Sequence, residues 1–310
     1  MLEVVPLVRQ LLPGLLQSSR PTVACIWTTW PKYLIFDTNA MRPACVVDFG
    51  AACRLLCVHQ ILSELHHRMP GGVPRSLCYS PWQGSMYVHI QEGLPGVPWF
   101  RVADEITTAA DWRCLLGRAI TAMLRLHAAI GEVPTWGERV SVRAELAQQV
   151  RLCKLRDISL STLVLCRVEE WSEAFGDSDS WPGVWQHGDF SLNNLLVSAD
   201  ALAVIDFDEF GNVLMPLHDA FGLALSLPLS QDGRCPLSRI DCVRACVEPS
   251  LTDSSITVEH LPGLLLHHLL WRINQCHGLE RRTAVCRRLL VWVEELASAP
   301  ETFLGDLMRL

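Results

Sequence analysis

Lysine is almost missing from this chain. Of its 26 basic residues only Lys32 and Lys154 are lysines, so lysine-dependent chemistry has two candidates. No Cys-x-x-Cys pair occurs among the 13 cysteines; the tightest spacings are Cys53–Cys57 and Cys242–Cys246. That excludes the usual zinc spacing, and an odd, scattered set does not read as a disulfide framework. The cysteines read instead as reduced core thiols. No apolar run approaches the ~18 residues of a membrane span. The opening MLEVVPLVRQLLPGLLQ lacks a basic start and a small-residue cleavage site, and its apolar positions suit a short amphipathic helix stopped by Pro13. Excess positive charge is lacking too: the formal net charge is −7. That argues against a polyanion partner held by bulk charge. The expectation is a cytoplasmic protein with no nucleic-acid or membrane partner.

What is present is apolar. Half of the 310 residues are hydrophobic and 19% are charged, enough for a real core in two domains or one bilobal unit. The first third reads as β with one helix. Val23–Trp27, Lys32–Phe36 and Ala44–Phe49 are strand candidates separated by turn residues. In Ala51–Met69 the residues Leu55, Val58, Leu62 and Leu65 share one helical face. Arg75–Tyr79 and Met86–Gln91 are further strands, and Gly93–Pro98 is a stiff Gly/Pro linker. After Asp104 the pattern is helical, broken by one β patch near 184–207. The expected domains are residues 1–98, a small antiparallel β-rich N-lobe, and 99–310, a larger helical C-lobe, in an α+β fold.

The chemistry concentrates at His187-Gly188-Asp189-Phe190-Ser191-Leu192-Asn193-Asn194. Leu195–Val197 and Leu202–Phe207 follow, joined by Ser198–Ala201 at hairpin spacing. A hairpin returns the chain to its start, so Asn194 before the first strand and Asp206 at the end of the second share one end. Asp189 sits in the loop feeding them. Two hard oxygen donors beside a third carboxylate suit Mg²⁺, and a carboxylate that is not a ligand can take a proton from an attacking hydroxyl. Phosphoryl transfer needs those parts and little covalent chemistry.

The segments HGDFSLNNLLV, AVIDFDEFG and PLHDA resemble the aminoglycoside phosphotransferase and choline kinase family, whose fold is similar to that of protein kinases. The resemblance implies a bilobal kinase that moves the γ-phosphoryl group of ATP or GTP to a hydroxyl of a sugar, amino-alcohol or aminoglycoside-like acceptor. It implies Asp189 as catalytic base, His187 as a brace of its loop, and Asn194 and Asp206 as Mg²⁺ ligands. Asp219 would tie the loop to the following helix, and Asp208 would either support the metal site or stand as a solvated acid. Main-chain groups of Ile90, Gln91 and Glu92 would pair with the nucleotide base. Oligomeric state is not legible.

One departure stands out. The family's third strand carries a lysine that grips the phosphates, and the following helix a glutamate that holds it. Here the lysine position is Asp48, and Cys57–Gln60 stand where the glutamate belongs. An acid there repels triphosphate, so Asp48→Ala is expected to relieve nucleotide binding. An inverted Asp48–Arg54 pair is an alternative. Lys32 can reach inward, although an ordinary surface lysine is the preferred reading. A pseudokinase that binds without turnover is the rival to the enzyme. The turn Thr28-Thr29-Trp30-Pro31 has no glycine for phosphate contact beyond its amides and hydroxyls. Glu169, Glu170, Asp177 and Asp179, near Trp171, Trp181 and Trp185, suit a cationic or sugar acceptor, or a helix surface over buried indoles.

Overall fold

A computed structural model describes residues 4–27, 31–37, 42–103, 105–133, 139–176, 181–230, 235–251, 256–276 and 283–309. The turn at 28–30 and the acids Asp177 and Asp179 lie outside them. The chain divides into two compact units, Met1–Glu105 with Asn193–Asp208, and Ile106–Leu192 with Glu209–Leu310.

The first unit is built on five antiparallel strands: β1 (Thr22–Trp27), β2 (Pro31–Phe36), β3 (Cys45–Ala51), β4 (Ser76–Pro81) and β5 (Met86–Glu92), in the order β1-β2-β3-β5-β4. Period-2 alternation sorts the side chains to two faces. Ile35, Val47, Phe49, Val88 and Ile90 form one face, buried with Val4 and Val8 of helix α1 (Val4–Leu11). The other face carries a polar row across three strands, because the register opposes Lys32 to Asp48 and Asp48 to His89. Helix α2 (Ala52–Arg68) packs against β3, β4 and β5.

The linker expected at 93–98 is not a free segment. Its end is a strand, β6 (Val97–Pro98), and helix α3 (Trp99–Ala103) follows. Strand β6 pairs with β9 (Leu195–Val197), which pairs with β10 (Leu202–Val204). This backbone pairing places the boundary after Glu105 rather than Pro98 and draws residues 193–208 into the first unit.

The second unit is helical: α4 (Ala109–Gly131), α5 (Val142–Leu155), α6 (Thr162–Glu173), α7 (His218–Ser230), α8 (Arg239–Leu251), α9 (Leu261–Cys276), α10 (Thr283–Ser298) and α11 (Glu301–Leu304). A two-strand ribbon, β7 (Arg139–Val140) with β8 (Trp181–Pro182), was not legible in the sequence. Thr108, Ser141 and Ser161 accept backbone N–H groups at the starts of α4, α5 and α6, which fixes where these helices begin. Helix α4 is long and apolar enough to cross a membrane, but Trp112, Met123 and Leu126 along it are buried core residues. Helix α9 is buried almost along its whole length, with α5, α6, α7 and α10 around it.

Candidate active site

The hairpin forms at the expected turn, but its second strand is Leu202–Val204 and stops short of Asp206, where Leu202–Phe207 was expected. Val204 opposes Leu195 and Leu202 opposes Val197, and the Ser198 hydroxyl donates to Ala201 O at 2.9 Å across the turn. The N–H of Ile205 donates to Asn194 O at 2.9 Å, which brings Asn194 and the residue preceding Asp206 to one end. Asp206 itself has φ +69°, left-handed backbone that a non-glycine residue adopts at a cost.

Around Asp206 the structure assembles a charge cluster. The Lys32 ammonium donates to the Asp206 carboxylate and lies 3.0 Å from Asp208. Arg54, from the first turns of α2, reaches Asp208 at 3.0 Å and holds Asp48 with two hydrogen bonds of 3.0 and 3.1 Å. Lys32 is therefore not a surface lysine; its side chain is 12% exposed. Burial alone would lower its pKa, but Asp206, Asp208 and Asp48 raise it, so the ammonium stays charged. Nor is Asp48 an open acid aimed at a ligand. It is neutralised by Arg54 and faces Lys32 across the ladder, so the expected repulsion is replaced by an inverted pair. Asp208 bridges the two cations.

This cluster contains three carboxylates and two cations, one positive charge short of neutrality. With the buried Asn194 alongside Asp206 in the hairpin, the donor set is hard oxygen. Both facts fit a magnesium ion, for which oxygen ligands and residual negative charge are the requirements. Among the described residues no cluster of His, Cys, Asp and Glu forms a metal site by protein ligands alone.

The three main-chain positions expected at the nucleotide base sit differently. Ile90 and Gln91 lie between two strands, paired to Val47 and Val46 of β3 and to Cys78 and Ser76 of β4. Glu92 N donates to Arg75 O at 2.8 Å, and Gly93 N to Ala44 O at 3.3 Å. Ile90 and Gln91 are thus ladder residues, and the Glu92 and Gly93 N–H groups already donate within the first unit. Gly93 is itself obligatory, because a Cβ there would stand 1.9 Å from Pro43 O.

In the second unit the loop before the hairpin is held from beneath. Asp219, fully buried at the start of α7, accepts the N–H of His187 at 2.8 Å and of Gly188 at 2.9 Å. His127 Nε2 of α4 completes the set at 2.9 Å. Burial would push the Asp219 carboxyl up, but the His127 hydrogen bond and the nearby His127, His187 and His218 hold it low. Asp219 N in turn donates to Gln186 Oε1, whose amide also donates to Met215 O at 2.6 Å. Gly188, at φ +83°, admits no side chain, since a Cβ would lie 2.2 Å from Glu209 O. His187 is buried and its Nδ1 accepts the Asp189 N–H at 3.3 Å, so it braces the loop. The carboxylate of Asp189 remains one-third exposed and is held by Arg272 of α9. His127, Gln186 and Arg272 were not singled out from sequence; His127 and Arg272 are single residues on distant helices, and Gln186 directly precedes the motif without being part of it.

Among the acids and indoles after residue 169, Glu170, Trp171 and Trp181 have structural partners. Glu170 pairs with Arg167 at 2.5 Å, Arg167 also lies over Trp171, and Trp181 packs against Phe175 and His260.

Beside Arg272, His218, His267 and His268 are buried together. Burial, then neighbouring positive charge, pushes His218 down to about 3 and His268 well below its ordinary value. His89, in the first unit, is pushed down to about 4 by burial and His59. Unfolded histidines protonate near pH 6.5 while these stay neutral, so the unfolded state binds more protons below that pH. Stability is thus full above pH 6.5 and lost as pH falls toward 4 and 3. Urea midpoints should fall steadily from pH 7.5 to pH 5; equal midpoints would contradict the burial of neutral imidazoles.

The fold and the charge clusters define a protein-kinase-like phosphotransferase. A family model described as the phosphotransferase enzyme family (APH) matches residues 47–234, more than half of the chain, and the chain belongs to that family. Among solved structures it is similar to choline kinase from Cryptosporidium parvum Iowa II, at 13% identity and a TM-score of 0.65 over 99% of both chains. It is also similar to the GDP complex of aminoglycoside 2'-phosphotransferase-IIIa, at 10% identity and 0.63 over 96% of this chain and 98% of that one. A thermostable mutant of aminoglycoside phosphotransferase APH(4)-Ia, in ternary complex with AMP-PNP and hygromycin B, matches at 12% identity and 0.62 over 98% and 100%. No curated protein sequence matches the chain.

Proposed function

We propose that this protein is an ATP- or GTP-dependent kinase that phosphorylates a hydroxyl of a small-molecule acceptor. One observation carries the reading over a non-catalytic one. The missing strand-three lysine is replaced by Lys32, which stands opposite Asp48 on the adjacent strand and pairs with Asp206. Lys32 then grips the nucleotide phosphates, and the Asp48–Arg54 pair does the orienting that a helix glutamate does elsewhere in the family. Asn194 and Asp206 hold Mg²⁺, which when bound neutralises phosphate charge. Asp189 takes the proton of the acceptor hydroxyl. The hydroxyl oxygen bonds to the γ-phosphorus as the bond to the β,γ-bridging oxygen breaks, and the nucleoside diphosphate leaves. The neighbours crystallised with GDP and AMP-PNP support a nucleotide co-substrate. The reading places the protein in the cytoplasm, which its buried thiols Cys45, Cys153, Cys242, Cys246 and Cys276 support.

The test is thermal denaturation with Mg·ATP and Mg·GTP, since a ligand selective for the folded state must raise the midpoint. A rise with at least one nucleotide is expected, and no rise with either at millimolar concentration refutes the proposal. Asp206→Ala should weaken Mg-dependent binding more than Asn194→Ala, because a carboxylate supplies charge where an amide supplies only a dipole.

A further inference from the structure

Resting on the kinase reading, we infer that the acceptor is an anionic alcohol, one bearing a carboxylate or phosphate near the hydroxyl, and that Arg272 binds that anion. The inference comes from what stands beside the base. Arg272 projects from buried helix α9 with its side chain 25% exposed, and its Nη1 donates to Asp189 Oδ1. Among the described residues that is the guanidinium's one hydrogen bond, although the group carries five N–H donors in a planar fork. The remaining edge is available to a planar anion in the two-point geometry that guanidinium favours.

The surroundings point the same way. A hydroxyl within hydrogen-bond reach of Asp189 places the neighbouring carbons of the acceptor about 5 Å from the guanidinium. At that range an effective dielectric near 20 makes a like charge costly and an opposite charge favourable. Apart from Asp189 itself, the residues packed nearby do not offset Arg272. His218 and His268 are buried and uncharged, and Glu145 is engaged with His267 at 3.6 Å. Asp189 and Arg272 cancel, so this surface offers no net negative charge to a cationic amino-alcohol or aminoglycoside. Glu170, one of the acids that suggested such an acceptor, pairs with Arg167 instead. Arg272 is fixed by the packing of α9, whose neighbours Trp271 and Ile273 are buried, so the group is presented on a rigid element.

The experiment compares glycerate, glycerol and choline as matched anionic, neutral and cationic alcohols. Wild-type protein, Arg272→Gln and Arg272→Lys are each titrated calorimetrically with the three alcohols and, separately, with Mg·nucleotide, beside nucleotide-turnover assays. The expected result is that wild type binds and turns over glycerate best. Arg272→Gln should weaken glycerate about 10- to 100-fold, as KM rather than kcat, with Arg272→Lys intermediate, while nucleotide affinity is unchanged. Stronger binding or faster turnover of choline or glycerol than of glycerate in wild type overturns the inference while leaving the kinase reading intact. So does an Arg272→Gln that treats the three alcohols as wild type does. Failure of the kinase reading shows itself separately, as absence of nucleotide binding in all three proteins.

Discussion

Asp189→Asn should bind nucleotide as the wild type does and transfer the phosphoryl group roughly 10²–10⁴-fold more slowly, the range expected for loss of a general base. The substitution is nearly isosteric. Its side-chain carbonyl can still accept from Arg272, and the backbone N–H still reaches His187 Nδ1. The loop is held independently through Asp219, which accepts His187 N–H and Gly188 N–H whatever stands at 189. What changes is proton affinity, since an amide oxygen cannot take the hydroxyl proton at neutral pH. Single-turnover transfer measured beside nucleotide affinity separates the two effects. A variant with full turnover removes Asp189 from the chemistry, and one that loses nucleotide binding as well shows that the substitution disturbed more than the proton.

The second large effect concerns Lys32. Lys32→Met should cost roughly 10²–10³ in turnover, the usual loss when one donor to a charged transition state is removed, and Lys154→Met, on the exposed face of α5, should cost nothing. The variant leaves Asp48, Asp206 and Asp208 around Arg54 alone. It should therefore melt lower than wild type and recover more of the difference in millimolar Mg²⁺. Asp48→Ala, which sequence reasoning made a gain of affinity, should now weaken nucleotide binding about tenfold. It should also lower stability by about 2–3 kcal/mol, because Arg54 loses its two-point partner in a mostly buried setting. Calorimetric titration of nucleotide into the three variants decides it. Tighter binding by Asp48→Ala would restore the repulsion view, and an unaltered Lys32→Met would hand the phosphate role to another residue.

The parts of the site that were legible in the sequence are those made by local chain geometry. A three-residue strand, a four-residue turn and a second strand oblige Asn194 and Asp206 to share an end, whatever the rest of the molecule does. Local geometry also places Asp189 in the loop that feeds the hairpin, while the roles of His187, Asp189 and Asp219 were legible only through the family resemblance. The helical character of the chain after Asp104 was legible too, from its apolar periodicity. The role of Lys32 was not legible, because it depends on the β2–β3 register and on a partner 174 residues away. Read along its own strand, Lys32 is one polar residue at a strand start, where surface lysines are common. The short strand β6 was hidden for a related reason: two residues carry no periodicity, and its pairing with β9 is written nowhere near it. Arg272 sits in a run whose leucines and histidines read as buried core, which most of them are.

The scarcity of lysine has a practical side once Lys32 is known to be enclosed by carboxylates. For an amine-directed reagent the side-chain target on the surface is Lys154 on α5, and it lies outside every cluster assigned a role above. A fluorophore, a cross-linker or a sensor surface coupled through lysine is thereby addressed to one known point in the helical unit, without engineering the chain.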